Sequence, residues 1–406
     1  MSKYFWGYFI MIYVGIDVAK DKHDCFAMSS DGEIIFENLT IKNTFDGFNV
    51  LLNSILSFEK NLDNIKVGLE ATGHYSNNIV NFLTNKGFHL YLINPLQTNL
   101  YRKGQSLRKT KTDKLDARFI TTMLITGNLK SYSKQSYHIS ELKSLVRHRF
   151  RLVKERSKCK VSFSRLLTIL FPELESIVWS TSQKSALYLL LELPSANAIA
   201  NCNLKHLTSI LQKYSNGKYD KNKAIEIREL ARNSIGTVSQ SQSFELKQVI
   251  QTILFYQSQI DEIDKELKNM ITELNTPILS IPGISYVSAA FILAEIGDIN
   301  NFDSPAKLQA FAGLDPSTYQ SGKYTATQSR MVKRGSKYLR WALLNATRLV
   351  CMRDDTFNDF KNKKLEEGKH YFVALSHTTK KLIRVIFYLL KTGKTYQSQS
   401  DISKVV

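Results

Sequence analysis

The sequence predicts an α/β domain at the N-terminus, a long helical linker and a mainly α C-terminal domain. Between residues 12 and 135, short runs rich in β-branched residues alternate with segments of helical spacing. From residue 136 onward, apolar residues recur at helical spacing over much longer segments. A chain of 406 residues can bury two or three ordinary cores, which suits this division.

The first domain is predicted from its strands. A β-rich apolar run over residues 12–16 indicates a buried strand, and two further runs on either side of Asp31-Gly32 indicate a hairpin. The remaining elements follow in order: a helix over residues 45–58, a strand over 66–70, a helix over 76–85 and a strand over 89–93. Strands that first form a hairpin and then alternate with helices imply a mixed sheet with helices on its faces.

The middle of the chain is predicted to be a linker over residues 136–275. A helix over residues 140–170 carries a row of cations, and a helix over residues 245–274 repeats apolar residues at nearly heptad spacing. This spacing favours coiled-coil pairing, either within the chain or between protomers. Residues 172–244 are helical in pattern and indicate no role. The other divisions are an N-terminal extension over residues 1–11, a C-terminal domain over 276–392 and a tail over 393–406.

The chain is strongly basic, with 55 Lys and Arg against 36 Asp and Glu and a formal charge of +19. Each phosphate that binds Lys or Arg releases counterions, so this charge favours a nucleic-acid partner over a merely basic soluble protein. The four cysteines lie far apart, which argues against a zinc site or a disulfide framework and predicts a reducing cytoplasm. The apolar N-terminus is too short to span a bilayer and lacks a cleavage site, so no membrane partner is expected.

Four acidic residues form the first candidate site. Asp17 and Glu70 each end a predicted buried strand, where side chains of α/β sheets face an open crevice. Asp113 and Asp116 would share a face in the first turn of a helix, with Thr112 as its N-cap. Carboxylate oxygens suit Mg²⁺ or Mn²⁺, and two such ions can clamp the attacking and leaving oxygens of a phosphodiester. Each acid alone would usually be solvated or capping, so the prediction depends on their placement together.

Cations surround the second pair of acids. Cations can hold a nucleic-acid backbone while carboxylates hold the metal, although a solvated loop is the alternative for this tract. The residues expected to bind nucleic acid here are Arg102, Lys103, Arg108, Lys109 and Lys111, and those on the long basic helix are Arg147, Arg151 and Lys154.

Two features of the C-terminal domain are candidates for phosphate binding. The Pro282-Gly283 turn before an apolar helix resembles a helix-hairpin-helix turn, but an ordinary tight turn between packed helices explains it equally well. Ser321 lies in a polar segment predicted to be an exposed loop, and the cations Lys333 and Arg334 follow it. From the residues alone, Ser321 is an ordinary loop serine.

Taken together, these motifs resemble a known family, the DEDD transposases of insertion-sequence family 110. The N-terminal motifs of that family are similar to Val14-Gly15-Ile16-Asp17, Leu69-Glu70-Ala71-Thr72-Gly73 and Lys111-Thr112-Asp113-Lys114-Leu115-Asp116-Ala117. Its C-terminal transposase motifs are similar to Ile281-Pro282-Gly283-Ile284, Phe311-Ala312-Gly313-Leu314, Gln320-Ser321-Gly322 and Lys333-Arg334-Gly335. The resemblance covers residues 12–135 and 276–350, and the motifs are specific as an ordered set.

The resemblance implies a RuvC-like domain of the RNase H fold, with metal held by Asp17, Glu70, Asp113 and Asp116. It implies that Ser321 is a nucleophile that forms a transient covalent bond to a DNA phosphate. Its implied partners are donor DNA, target DNA and a structured guide RNA, within a homo-oligomer ranging from dimer to tetramer. A bacterial cytoplasmic protein associated with the nucleoid is then expected. Residues 172–244 depart from the common form of the family, so the resemblance implies nothing about them.

Three other functions are weighed against this one. The nearest is a junction resolvase of the RNase H fold, in which metal-activated water attacks and Ser321 has no role. A sugar or acetate kinase of the actin-like superfamily shares the Val14-Gly15-Ile16-Asp17 motif, but it needs further glycine-rich phosphate turns that the sequence lacks. A non-enzymatic RNA-binding protein fits the charge but gives the acids no role.

Overall fold

The computed structural model describes residues 10–70, 75–105, 113–127, 129, 131, 137–317, 320–321, 324–325 and 330–398. The chain divides into two compact units, Met1–Lys134 and Gln135–Val406. Within the described ranges, every helix is too short or too polar to cross a bilayer.

The first unit is built on a five-stranded mixed sheet. Its strands are β1 (Ile12–Val18), β2 (Lys22–Ser29), β3 (Ile34–Lys42), β4 (Ile65–Glu70) and β5 (His89–Ile93). The order is β3-β2-β1-β4-β5, in which β1, β2 and β3 are antiparallel neighbours while β4 and β5 run parallel to β1. This order and these directions are those of the RNase H fold, so the predicted fold class is confirmed.

Helices cover both faces of this sheet. They are α1 (Phe45–Leu56), α2 (Asn77–Asn85), α3 (Pro95–Gln105) and α4 (Asp113–Thr126). Thr44 starts α1 by accepting a hydrogen bond from the Gly47 N–H, and Leu51 of α1 packs with Val14 of β1 in the core of one face. The opposite face packs against α4, which contacts β1, β2 and β4.

The approach of α4 to the sheet depends on two glycines. A Cβ atom at Gly15 would lie 2.2 Å from the carbonyl oxygen of Ala117, and one at Gly68 would lie 2.8 Å from the Leu124 side chain. Thr121 then donates a hydrogen bond to the Phe26 carbonyl oxygen at 3.3 Å. The missing side chains therefore let α4 lie directly on the strands.

The second unit is almost entirely helical. Two long helices, α5 (Tyr137–Leu170) and α11 (Gln240–Leu274), pack along each other within the chain. The helices between them are α6 (Leu174–Ile177), α7 (Lys184–Glu192), α8 (Ala196–Ala200), α9 (Leu204–Ser215) and α10 (Lys221–Arg232). These short helices form one apolar core with the adjoining ends of α5 and α11.

A separate core is formed with the other ends of α5 and α11 by the C-terminal helices. These are α12 (Tyr286–Ile296), α13 (Pro305–Phe311), α14 (Lys337–Val350), α15 (Asp355–Glu366) and α16 (Tyr371–Thr392). Two short strands, β6 (Gln320–Ser321) and β7 (Tyr324–Thr325), pair antiparallel. These short paired strands lie within the segment that was predicted to be an exposed loop, and Tyr324 and Thr325 favour their extended backbone.

Candidate active site

The two acids that end strands share one face of the sheet. Side chains alternate along a strand, so Asp17 lies on the face of Gly15, and Glu70 lies on the face of Gly68. The register places Gly15 beside Gly68 in parallel β1 and β4. Asp17 and Glu70 therefore occupy neighbouring positions in one row, at the carboxyl ends of their strands, on the face that α4 covers.

Helix α4 contributes the other two acids. Asp116 is 6% exposed, and Ala117, the next residue, is the one that meets Gly15. Asp113 is the first residue of α4 and precedes Asp116 by three positions, but its side chain lies outside what the structure describes. Asp116 therefore lies on α4 next to the residue that packs on Gly15 of β1. Thr112, the predicted N-cap, also lies outside the described residues.

A cation from α3 contacts this acidic face. The Nη1 atom of Arg102 lies 3.3 Å from Oδ1 of Asp116, and its Nη2 atom donates to Oδ1 of Asn99 at 3.3 Å. The charge of a nearly buried carboxylate is costly unless a partner compensates it, and Arg102 provides that compensation. One residue predicted to bind nucleic acid is therefore held beside a predicted metal ligand.

A fifth carboxylate, absent from the sequence predictions, lies on this face. Asp24 lies directly opposite Asp17 in the antiparallel pair of β1 and β2 and is 7% exposed. Its oxygens accept a hydrogen bond from Thr40 and lie 3.5 Å from the Lys22 ammonium group. The predicted hairpin already placed Asp24 on a strand next to that of Asp17. Directly opposite residues share a face, but only the register shows that these two residues are opposite.

The acids make this part of the sheet electronegative. Burial first, and then the charges of Asp24 and Asp17, raise the pKa of the Cys25 thiol, which therefore stays protonated. Among the side chains that the structure describes, no three of Asp, Glu, His or Cys lie close enough to hold a metal ion. The donor chemistry nevertheless fits a hard divalent cation, since Asp17, Glu70 and Asp116 all offer carboxylate oxygens.

The predicted basic tract is only partly described. Lys103 is exposed near the end of α3, whereas Arg108, Lys109 and Lys111 lie outside the described residues. On α5, Arg151 and Lys154 are exposed and remain free to meet a polyanion. Arg147 has a different position, because its guanidinium forms two hydrogen bonds with Glu295, at 2.7 Å and 3.1 Å. Its side chain therefore faces a protein carboxylate.

In the second unit, the residues on either side of the segment that carries Ser321 are paired by main-chain hydrogen bonds. We call residues 311–317 and 330–336 the hairpin base. Main-chain N–H groups of Ser317, Val332 and Lys333 donate to carbonyl oxygens across this base at 2.7 to 3.1 Å. The base therefore fixes both ends of the segment that contains Ser321, although the side chain of Ser321 itself is not described.

Left-handed backbone closes the hairpin base. Gly335 has φ +122°, and a Cβ atom there would lie 2.1 Å from the Phe311 carbonyl oxygen. Lys333 has φ +57°, an uncommon conformation for a residue with a side chain, and it is exposed beside Arg334. Arg340 of α14 donates to the carbonyl oxygens of Ala312 and Lys333, at 3.0 Å and 3.2 Å. These bonds hold the two predicted cations at a defined corner.

A small cleft adjoins the hairpin base. It has a volume of about 280 Å³ and is lined by Arg330 of the base and by His377 and Lys380 of α16. Burial, followed by the charges of Lys380, Lys364 and Lys369, lowers the pKa of His377, so its ring is mainly neutral. Asp315 of the base also lines the cleft, but the cations Arg330 and Lys380 outnumber it, and an excess of positive charge favours a phosphate.

The Pro282-Gly283 turn is packed against a helix. Gly283 has φ +92°, and a Cβ atom there would lie 2.6 Å from the Leu349 carbonyl oxygen of α14. Ser285 then caps α12 by accepting a hydrogen bond from the Ser288 N–H. Close packing on α14 accounts for the glycine. The turn also lines a cleft together with Ser285 and Arg353, so phosphate binding there stays a prediction.

Comparison with known proteins agrees with this architecture. A family model described as "Transposase" matches residues 14–172, and a model described as "Transposase IS116/IS110/IS902 family" matches residues 275–362. A protein of insertion element IS116 from Streptomyces clavuligerus is 24% identical over 95% of this chain and 96% of its own length. The pilin gene-inverting protein of Moraxella bovis is 22% identical over 95% of this chain and 98% of its own.

One solved structure is similar in part. RuvC of T. thermophilus, in complex with a Holliday junction substrate, is 11% identical and has a TM-score of 0.22. The match covers 30% of this chain and 99% of that one.

An RNase H-like sheet joined to a helical transposase domain defines a DNA transposase, an enzyme that recombines DNA strands. The chain belongs to the IS110/IS116/IS902 family of insertion-sequence transposases. Nuclease domains of this fold and motif ordinarily use divalent metal ions.

Proposed function

We propose that this transposase cuts and rejoins DNA at a composite site, in which the acidic quartet and Ser321 act together and a structured guide RNA selects the DNA. The quartet is Asp17, Glu70, Asp113 and Asp116. The observation that carries the proposal is the shared face of Asp17 and Glu70 beside α4, which collects carboxylates where strands end. The electropositive hairpin base supports the part given to Ser321.

The quartet would hold Mg²⁺ or Mn²⁺. When bound, such an ion supplies a Lewis acid that stabilises the charge developing on a phosphodiester. Asp17 and Glu70 offer oxygens from rigid strand ends, and Asp116 offers one from a helix held against the sheet. Arg102 lies beside Asp116 and can contact the DNA phosphate that approaches these acids.

Ser321 would be the nucleophile. Its Oγ atom forms a bond to phosphorus while the bond from phosphorus to a deoxyribose oxygen breaks. The serine hydroxyl loses its proton, and the leaving oxygen gains one. The reverse attack by another strand's hydroxyl releases Ser321 and reseals the backbone, so no ATP is needed. A covalent intermediate suits recombination better than hydrolysis does, because it conserves the phosphodiester bond energy.

The remaining cations would hold nucleic-acid backbone. Those of the first unit are Arg102, Lys103, Arg108, Lys109 and Lys111, and those of the second are Arg151, Lys154, Lys333 and Arg334. The formal charge of +19 supports a large polyanionic partner, and donor DNA, target DNA and a guide RNA would together supply it. Assembly into a dimer or tetramer would let the acids of one protomer meet Ser321 of another. A cytoplasmic, nucleoid-associated location follows from this function.

Trapping a protein–DNA adduct tests the nucleophile. Labelled DNA that carries the ends of the element is incubated with protein and Mg²⁺, and adducts are separated on a denaturing gel. Ser321→Ala should lower adduct formation by roughly 10⁴-fold or more while DNA binding survives, since no other atom replaces a lost nucleophile. Ser157→Ala is the control, because Ser157 is exposed on α5, outside the hairpin base, and its hydroxyl donates to the Val153 carbonyl oxygen of the same helix.

Strand cleavage without any adduct, unchanged in Ser321→Ala, would contradict the serine role and favour metal-activated water. The metal role is tested separately with Asp116→Asn and with EDTA, both of which should stop cleavage. Cleavage that continues in EDTA would contradict it. Sequencing of the nucleic acid that co-purifies with the protein tests the guide, which requires one structured RNA from the element itself.

A further inference from the structure

A buried carboxylate lies in the apolar helix α12. Glu295 is 2% exposed, and its neighbours Ala294 and Ile296 are also buried. Carboxylates are almost never fully buried unless they are paired. Glu295 is not among the residues predicted from the sequence, and the acidic quartet belongs to the other unit.

Glu295 accepts hydrogen bonds from two distant parts of the chain. Arg147 of α5 donates from Nε at 2.7 Å and from Nη2 at 3.1 Å. The Ser336 hydroxyl donates to Oε2 at 2.7 Å. Burial acts to raise the pKa of Glu295, but the bonds from Arg147 and Ser336 outweigh it and lower the pKa overall. The side chain is therefore a carboxylate held by three directed donors.

Ser336 joins this cluster to the hairpin base. Its main-chain N–H donates to the Phe311 carbonyl oxygen at 2.8 Å, and its hydroxyl oxygen also accepts from the Leu339 N–H to cap α14. Lys333 and Arg334 lie immediately before it in sequence. The hydroxyl that donates to Glu295 thus lies where the hairpin base meets α14.

Arg147 extends the cluster to a third helix. Its guanidinium lies over the ring of Tyr338 in α14, 4.9 Å from the centroid. The Phe150 ring, one turn further along α5, contacts the rings of Tyr338 and Trp341. Glu295 is consequently the shared acceptor at a junction of α5, α12 and α14, directly behind the hairpin base.

We propose that Glu295 is a positioning residue for strand transfer: through Ser336 and Arg147 it fixes the hairpin base, and with it the segment that carries Ser321. This inference rests on the proposed role of Ser321. Glu295 touches no reacting atom. Its effect comes from orientation, because misplacement of a nucleophile by about 1 Å can cost on the order of 100-fold in rate.

The chain offers a matched control for a merely structural ion pair. Arg149, two residues after Arg147 on α5, forms a two-point ion pair with Asp264 of α11. Among the described residues, no hydrogen bond or ion pair joins Asp264 to the hairpin base. Asp264→Asn and Glu295→Gln therefore each remove one carboxylate from an arginine of the same helix, and only Glu295→Gln reaches the hairpin base.

The experiment measures three quantities for each variant of the full chain: the rate of adduct formation at saturating DNA, the Kd for DNA, and the amide hydrogen exchange of the hairpin base. Glu295→Gln should lower the adduct rate by about 10- to 100-fold at unchanged Kd and speed exchange in the base. Asp264→Asn should leave the adduct rate and the exchange of the base within about twofold of wild type, because the Arg149–Asp264 pair joins α5 to α11 and its loss should not displace Ser321.

A second pair of variants decides the matter if Glu295→Gln does not fold. Ser336→Thr keeps a hydroxyl and should retain the wild-type rate, whereas Ser336→Gly removes the bond to Glu295 at little cost to the helix cap and should slow adduct formation. Equal rates for these two variants, or equal losses in Glu295→Gln and Asp264→Asn, would overturn the inference. If wild type itself forms no adduct, the proposed function fails, and the exchange of the base still decides whether Glu295 fixes it.

Discussion

The acidic face of the first unit and the hairpin base of the second are positioned by different means. The positions of Asp17 and Glu70 are set by the register of β1 and β4, and main-chain hydrogen bonds between the strands fix that register. The hairpin base is placed in large part by side chains, since Glu295 accepts from Arg147, 148 residues away in the sequence, and from Ser336, 41 residues away.

The difference predicts how each region fails. A sheet row tolerates exchange of surrounding side chains provided that the helix above it keeps its distance, so Gly15 and Gly68 are its sensitive points. A side-chain cluster depends on charge and hydrogen-bond geometry, because removing one partner leaves the remaining buried groups without a hydrogen-bond or charge partner. The first region should therefore be sensitive to added volume and the second to lost charge.

Added volume at Gly15 is expected to have the largest effect on stability. Gly15→Ala puts a Cβ atom 2.2 Å from the Ala117 carbonyl oxygen, so α4 must move away from β1. We expect a loss of about 3 kcal/mol, the upper part of the range for overpacking, together with loss of DNA cleavage. Urea denaturation measures the change in the free energy of unfolding. Gly104→Ala in α3 is the control, because among the described residues no atom outside the backbone of α3 lies within 4 Å of the added Cβ. Equal stability in the two variants would mean that α4 does not depend on close contact.

Loss of charge at Arg147 should have an intermediate effect. Arg147→Gln leaves the Glu295 carboxylate without its two-point partner, and we expect a loss of about 2 kcal/mol because Arg147 is itself 39% exposed and water reduces the penalty. Arg151→Gln, on the same helix but exposed, should leave stability unchanged and lower the salt dependence of nucleic-acid binding by about one counterion. Thermal denaturation and binding at several salt concentrations measure both. If Arg147→Gln instead left stability unchanged and lowered the salt dependence of binding, Arg147 would be a nucleic-acid-binding residue.

Acid is expected to have the smallest effect and to act at different pH on a residue of each unit, His23 in the first and Glu295 in the second. His23 is fully buried against Phe48, and neither ring nitrogen has a hydrogen-bond partner among the described residues, although Asn43 lies near. Burial lowers the pKa of His23, so its contribution is present above the unfolded value of about 6.5 and is lost as pH falls through the folded pKa. The pKa of Glu295 is also lowered in the folded state. Its contribution to stability is therefore present above about pH 4.3, the value for an unfolded Glu, and is lost as the pH falls further.

Thermal denaturation between pH 7.5 and 5.5 therefore separates the two residues. Wild type should lose roughly 2 °C more in Tm over this range than His23→Phe, which keeps the ring stacked but cannot take up a proton. Glu295→Gln should follow wild type in this range and differ in its pH dependence only in more acidic solution. A His23→Phe variant that follows wild type throughout would show that His23 does not titrate on unfolding.

Much of the first unit was predictable because its signals are local. Apolar runs indicated the strands, and Asp17 and Glu70 could be assigned to strand ends because each apolar run stops there. Asp24 could not, because its side of the sheet became clear only from the register that pairs it with Asp17. The contact of Arg102 with Asp116 was equally hidden, since it depends on how α3 packs near α4.

In the second unit, the helices were predictable and their polar contacts were not. A row of cations on one helix gives the same pattern whether each residue meets solvent, nucleic acid or a buried acid, so Arg147 was grouped with Arg151. Glu295 gave no sign of a role inside an apolar helix, because its partners come from residues far away in the sequence. Short strands at Ser321 were missed because two residues carry almost no periodic signal.

By itself, the sequence determined the order of strands and helices, the basic charge and the family, because periodicity, composition and ordered motifs are local properties of the chain. Only the tertiary structure decided which carboxylates share a face, which arginine is consumed by a buried acid, and how the base of the Ser321 segment is fixed. These depend on register and on contacts between residues far apart in sequence, and such contacts are selected by packing and by the cost of burying an unpaired charge.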